Sequence, residues 1–146
     1  MLRQHINLAV DIILFTIIEE KPHVLLIKRK YPPFLHEYCF PGGFVKDHET
    51  LKEAALRELE EEADIRNAQN LEVLEIYDQI GRDPRGRIIS IAFMGTINFE
   101  NTSHVRAGDD ALIVEWVPVT EVKVLAFDHN KMLSDALKFL STVNTK

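Results

Sequence analysis

The stretch from Gly43 to Ile65, GFVKDHETLKEAALRELEEEADI, constrains this chain more than any other part of it. From Thr50 to Ala63 it holds no proline or glycine and is built mostly from alanine, leucine, glutamate, lysine and arginine. These side chains lose little freedom in a helix, so a helix is predicted there. At about 100° per residue, Ala55, Leu56, Leu59 and Ala63 share a face that should pack on a core. Glu58, Glu61 and Glu62 fill an arc of roughly 100° beside that face, while Glu53 and Glu60 turn toward solvent. Three carboxylates should therefore meet at the edge of the core.

A charge run on a helix is ordinarily a solvated face. Two features point instead to a divalent-cation site. The acids crowd the C-terminal turns, where the helix dipole disfavours negative charge by about 0.3–1 kcal/mol each, and no lysine follows at the spacing that would offset it. Carboxylates about 6 Å apart also repel by roughly 0.7 kcal/mol in water and about 3 kcal/mol at an effective dielectric of 20. A bound cation would relieve both penalties, and Mg2+ or Mn2+ takes an octahedron of oxygen ligands that glutamates one turn apart can supply. Ahead of the helix, Phe40-Pro41-Gly42-Gly43 makes a turn whose glycines admit close backbone approach to a ligand, and Glu49 follows. Taken alone, Pro-Gly-Gly would be an ordinary turn.

Together these residues resemble the Nudix box, G-x5-E-x7-R-E-U-x-E-E-x-G-U with U aliphatic. Gly43, Glu49, Arg57, Glu58, Leu59, Glu61, Glu62 and Ile65 match it in register. The departure is Asp64, where the family has the glycine of a left-handed helix cap; aspartate tolerates that conformation at a cost of about 1 kcal/mol or less. The resemblance implies a Nudix-like α+β fold, an α/β/α sandwich in which a mixed curved sheet carries the carboxylate helix on one side and a C-terminal helix besides. It implies hydrolysis of a nucleoside diphosphate linked to another moiety, by a metal-activated water. Mapped onto this chain, the metal ligands are Glu58, Glu61, Glu62 and the carbonyl of Gly43. Glu58 could instead act as the base, and Arg57 would orient a glutamate. The family's base often lies on a loop before the last long strand, which makes Asp109 and above all Asp110 candidates; two turn residues after Gly108 is the competing reading.

Outside the box the chain resembles the bacterial ADP-ribose pyrophosphatase branch. The residues that carry this are Leu8-Ala9-Val10-Asp11, Lys28-Arg29, Tyr31-Pro32-Pro33-Phe34, the segment Gly81-Arg82-Asp83-Pro84-Arg85-Gly86-Arg87, Trp116-Val117-Pro118-Val119 and Leu125-Ala126-Phe127-Asp128-His129. Arg82, Arg85 and Arg87 are suited to bidentate phosphate contacts, and Asp83 could fix one of them or accept a ribose hydroxyl. A charged hairpin turn is the alternative. Tyr38, Phe40 and Phe44 could stack on adenine, although aromatics beside a glycine turn are more often core.

With 146 residues, 1–146 is expected to be a single domain, large enough to bury a sizeable core. Strands are predicted near 6–17, 23–29, 71–80, 87–99 and 111–117. A last helix should follow Asp128, with Asp128 as N-cap, Phe127 and Met132 as a hydrophobic staple, and Leu133, Ala136, Leu137 and Leu140 on one face. No internal repeat or low-complexity segment interrupts this order. Cys39 is the only cysteine, so an internal disulfide is excluded and a reducing compartment fits. Leu8–Ile18 is apolar but broken by Asp11, too short to span a bilayer and without a basic leader, so the chain is expected to be cytoplasmic with no membrane partner. A net charge of −6 with no basic stripe argues against nucleic-acid binding. The histidines show no zinc spacing, and there is neither a serine-hydrolase elbow nor a P-loop.

The favoured function is Mg2+- or Mn2+-dependent cleavage of ADP-ribose to AMP and ribose 5-phosphate, with another nucleotide derivative as the enzymatic alternative. A module that senses ADP-ribose or related NAD metabolites is the non-enzymatic one. Regulators of that kind carry an added DNA-binding domain, whereas this chain stops at Lys146. The family also brings the expectation of a homodimer, through the apolar N-terminal strand or the final helix.

Overall fold

The computed structural model describes residues 3–68, 70–102, 108 and 111–144. In chain order it forms strands β1 (Asn7–Ile18), β2 (Lys21–Arg29), β3 (Tyr38–Cys39) and β4 (Gly42–Phe44), helix α1 (Leu51–Ala63), strands β5 (Glu72–Tyr77), β6 (Ile88–Thr96) and β7 (Ala111–Pro118), and helix α2 (His129–Asn144). The strands make one mixed sheet with the central order β3-β2-β1-β6-β5; β4 pairs with β1 and β7 with β2. Among the described residues only the β1–β6 pairing is parallel, with Val10 opposite Ile91 and Ile12 opposite Phe93. The remaining pairings are antiparallel.

The two-residue alternation of a strand sorts β1 between two cores. Val10, Ile12 and Leu14 face α1 and pack with Ala54, Ala55, Leu59 and Ala63. Ile13 and Phe15 face the other way, toward Met132, Leu133 and Ala136 of α2. A strand buried on both faces reads as a continuous apolar run, which is why Leu8–Ile18 shows no polar alternation. The result is the expected α/β/α sandwich. Its middle strand is β1, whose central residues are core while Leu8 and Ile17 near its ends stay exposed.

Helix α1 begins one residue inside the predicted span. Thr50 caps it: the Thr50 hydroxyl accepts the Glu53 N–H at 3.1 Å, and the Glu53 carboxylate accepts the Thr50 N–H at 3.0 Å. At its far end Asp64 takes the left-handed conformation (φ 56°, ψ 35°) that the glycine of the box would supply; its N–H donates to the Glu60 carbonyl at 3.0 Å and the Ile65 N–H to the Leu59 carbonyl at 3.3 Å. Burial of Leu59 at this face stabilises the fold by about 1.5–3 kcal/mol.

Several expectations are corrected. Strands β3 and β4 are too short to leave a periodic signal. The β5 strand stops at Tyr77 rather than 80, and β6 at Thr96 rather than 99, where Phe99–Thr102 turns into a 3-10 helix. The Asp128 carboxylate, expected as the α2 cap, is gripped by Arg82, whose Nε and Nη2 donate to it at 2.8 and 2.7 Å. Phe127 does not staple Met132. It packs on Phe34 and sits over the sheet end, while Met132 lies in the α2 core.

Candidate active site

A cleft of about 570 Å3 opens where the α1 acids, the glycine turn and the segment after β5 meet. It is lined by Phe40, Gly43, Arg57, Glu58, Glu61, Glu62, Arg82, Asp83 and Arg85, so these expected site residues border one space, whereas Arg87 and Tyr38 do not line it. Asp109 and Asp110 lie outside the described residues. Their neighbour Gly108 donates its N–H to the Glu62 carbonyl at 3.0 Å, which places that position at the C-terminal end of α1.

Glu58 and Glu62 are buried, 8% and 7% exposed, whereas the Glu61 side chain is open to solvent at the rim. The two buried carboxyls hydrogen-bond each other. Burial raises both above the ordinary carboxylate range, Glu62 the more strongly because Glu58 faces it. Glu62 Oε2 is buried with no hydrogen-bond partner among the described residues. A paired, desolvated set of oxygens with one left orphaned costs free energy in isolation and is the donor set a hard dication requires. These oxygens fit a divalent metal in kind; among the described residues no three acidic, histidine or cysteine side chains are already gathered tightly enough to hold one.

Arg57 organises these acids. Its Nε and Nη2 donate to the two oxygens of Glu49 at 2.9 and 2.6 Å, its Nη1 to Glu58 at 2.7 Å and to Glu61 at 3.1 Å, and its Nη2 also to the Phe44 carbonyl at 3.0 Å. The hydrogen bonds from Arg57 hold the Glu49 carboxyl down at about 2. One guanidinium thus ties the residue before α1, the helix and the glycine turn together. It positions the glutamates and leaves no donor obviously directed at a substrate.

The glycine turn lies flush on this set. A methyl group on Gly43 would overlap Glu58 Oε1 and stand 2.5 Å from the Glu58 carboxyl carbon. On Gly42 it would overlap the Val10 carbonyl and stand 2.5 Å from Asp11 Oδ1. Both close approaches explain why the turn is Gly-Gly. The Gly42 N–H donates to the Glu62 carboxyl.

The arginines of the segment 81–87 divide. Arg82 is buried and committed to Asp128. Arg85 is half exposed, paired with Asp83 at 2.8 Å, and lies over the rings of Phe44 and Phe127 at 5.1 and 5.3 Å from their centroids. Asp83 therefore fixes an arginine, one of its two expected roles. Arg87 donates to the Asp78 carbonyl and is not among the cleft residues. Phe40 is corrected as a stacking platform: its ring is 1% exposed and stacks on His129 at 5.2 Å. Phe44, 42% exposed, is the open ring of that turn.

Two cleft residues, Arg29 and Asp11, are part of the sequence resemblance but have no role predicted from it. Arg29 lies over Phe127 at 5.1 Å. Asp11 lies on the floor, where it accepts the Ser90 hydroxyl and faces His129 Nε2 at 3.4 Å. Burial pushes its carboxyl up, but His129, Ser90 and Arg82 together outweigh this and hold it below the ordinary value. The signal was present: a lone carboxylate inside an apolar run is costly unless it is partnered. Cys39 nearby has its thiol pushed up to about 12 by burial, so it is a packing residue and no thiolate nucleophile.

With this geometry in hand, comparison with known proteins gives a consistent outcome. The NUDIX domain family model matches residues 7–136. An ADP-ribose pyrophosphatase of Methanocaldococcus jannaschii is 41% identical over 137 residues, covering 92% of this chain and 75% of the relative. The ADPR responsive transcriptional repressor NtrR of Acinetobacter baylyi is 29% identical; the match covers 92% of this chain but spans only 54% of the repressor. Among solved structures, the NUDIX domain of Shewanella oneidensis NrtR, complexed with ADP ribose, superposes with a TM-score of 0.87 at 28% identity, covering 94% of this chain and 90% of that domain.

Proposed function

The chain belongs to the NUDIX domain family and is a pyrophosphohydrolase of that family, and from that premise we propose that it hydrolyses ADP-ribose to AMP and ribose 5-phosphate. The observation that carries the reading is the buried Glu58–Glu62 pair, with the orphaned Glu62 Oε2, lining one cleft with Arg85, which lies over two aromatic rings. Glu58, Glu61, Glu62 and the Gly43 carbonyl would hold Mg2+ or Mn2+. When bound, such an ion polarises phosphoryl oxygens and makes water a nucleophile near neutral pH.

The protein's own part is placement. Arg57 keeps the carboxylates convergent, so the cost of bringing like charges together is met in folding rather than during the reaction. Arg85 is the guanidinium free enough to meet a phosphate, with Asp83 fixing its approach. Phe44 offers an open face to a base. Water oxygen attacks one phosphorus, the bond from that phosphorus to the bridging oxygen breaks, and the water proton passes to a carboxylate. Asp110 is our candidate for that base, supported by the seat of Gly108 on the end of α1, with Glu58 the alternative. A homodimer is part of the proposal, resting on the exposed apolar side chains Phe139 of α2 and Leu8 and Ile17 of β1. So are a cytoplasmic location, which suits the unpaired buried Cys39, and the absence of a nucleic-acid partner, which suits the net charge of −6. Among the described residues no helix is long and apolar enough to cross a membrane.

A second reading has a specific observation behind it. The Shewanella domain was solved with ADP ribose and the Acinetobacter relative is an ADPR responsive transcriptional repressor, so a domain of this shape can bind that molecule and a relative can answer to it as a sensor. Incubation with ADP-ribose, NADH, nucleotide sugars and nucleoside triphosphates in Mg2+ or Mn2+, with separation of products, tests both. AMP and ribose 5-phosphate from ADP-ribose support catalysis; tight ADP-ribose binding without products supports the sensor; preferred turnover of another compound replaces the substrate.

A further inference from the structure

The start of α2 reaches across the sheet end and touches the glycine turn through one side chain. His129 is 2% exposed, and its Nδ1 accepts the Phe40 N–H at 3.1 Å. An imidazole nitrogen can accept only through its lone pair, so the ring proton sits on Nε2, which faces Asp11 Oδ1 at 3.4 Å. Asp11 is in turn anchored by the Ser90 hydroxyl on β6. The ring also stacks on Phe40. Every polar atom of the imidazole is thus used, and its tautomer is set by its two neighbours.

The turn held in this way is the one that meets the acids. Pro41 accepts the Ile12 N–H at 2.8 Å, Gly42 donates to Glu62, and Gly43 leaves no room for a methyl against Glu58. A turn free to lift by an ångström would lose the Gly42–Glu62 contact and change the gap between the Gly43 backbone and the glutamates. Strands β3 and β4, which flank the turn, have only two and three residues. Their short ladders supply little restraint of their own, so the buried side-chain contact matters.

We propose that His129, oriented by Asp11, is a positioning residue that registers the Phe40–Gly43 turn against Glu58 and Glu62 and so completes the metal site. The proposal rests on the cleft being a metal site and not on the identity of the substrate. It distinguishes the two nitrogens: Nδ1 holds the turn, and Nε2 holds the ring.

Three substitutions separate these roles. Phenylalanine at 129 keeps the stack and loses both polar contacts, glutamine places its amide near the Nε2 position and forfeits the Phe40 acceptor, and asparagine places an oxygen near Nδ1. The readouts are Mn2+ titration of the free protein by electron paramagnetic resonance, exchange of the Phe40 amide by NMR, and kcat and KM with ADP-ribose. His129→Phe and His129→Gln should weaken Mn2+ binding by about 10-fold or more, speed Phe40 exchange, and lower kcat with little change in KM. His129→Asn should restore most of the Mn2+ affinity and the slow exchange. Wild-type Mn2+ affinity in His129→Gln, or equal losses in the asparagine and glutamine variants, would overturn the proposal. If His129→Phe does not fold, the glutamine and asparagine pair decides the matter. A wild type that binds Mn2+ but leaves ADP-ribose intact would remove the proposed substrate and leave the metal and exchange readouts to judge His129.

Discussion

Gly43→Ala is the substitution in which the account commits itself to a distance. The added methyl would overlap Glu58 Oε1 and stand 2.5 Å from the carboxyl carbon and 2.8 Å from Oε2, while carbon atoms in contact prefer about 3.5 Å or more. The Glu58 carboxyl must therefore retreat by about 1 Å. It is the far end of a flexible side chain, so the fold loses only about 1–2 kcal/mol. The site loses more, because the retreat breaks register with Arg57, now 2.7 Å away, and with Glu62. A misplacement of about 1 Å costs roughly 10²-fold in rate, or about 2.7 kcal/mol of barrier. Gly42→Ala is the internal control, since there the methyl strikes the Val10 carbonyl of the central strand and the Asp11 Cα at 3.0 Å. Backbone cannot yield so cheaply, and about 3 kcal/mol or more of stability should go. Thermal melts, Mn2+ titration and initial rates on ADP-ribose measure all three quantities. Gly43→Ala should melt within a few degrees of wild type and lose metal affinity and kcat; a variant with wild-type Mn2+ binding and turnover would refute the placement of Glu58 as a ligand.

Glu62→Gln should abolish turnover yet leave the metal-free fold at least as stable as wild type in neutral buffer. The sign follows from the raised Glu62 carboxyl: its protonated form is favoured by the fold, a contribution complete below the ordinary value of 4.5 and lost as pH rises through the raised one. Melts against pH should show that fall in wild type and not in the variant, and Mn2+ should raise the melting temperature of wild type alone. Arg85→Ala should raise KM for the substrate, whereas Arg82→Ala, which strands Asp128 in a half-buried position, should cost about 1–3 kcal/mol of stability. Unchanged KM in the first would return Arg85 to a hairpin role. Asp64→Gly should stabilise the fold by about 1 kcal/mol or less, with unaltered kinetics, because glycine takes the φ of 56° without strain; a loss of activity would show that the cap does more than end α1.

What the sequence disclosed and what it hid have physical reasons. The α1 helix was legible to within a residue because propensity, cap and amphipathic face agree over its 13 residues. The box acids were legible because a helix fixes side-chain direction from spacing alone. Strands β3 and β4 were not, because two or three residues carry no period, and their pairing is set by β1 and β2 beside them. Asp11 and His129 are 118 positions apart in sequence, 129 less 11, and meet only through the sheet. No local pattern links them. Arg82 looked like a phosphate ligand by composition, and only its fork with Asp128, a partner on another element, shows it to be committed. Phe40 likewise had the right neighbours in sequence and the wrong burial.

The central claim is that Glu58 and Glu62 grip a divalent ion beneath the glycine turn, and crystals grown with Mn2+ test it most directly by anomalous diffraction. The account predicts a manganese peak bonded to carboxylate oxygens of Glu58 and Glu62 and lying beside Gly43. A protein that turns over its substrate in Mn2+ while the peak sits elsewhere, away from the Glu58 and Glu62 carboxyls, would contradict it.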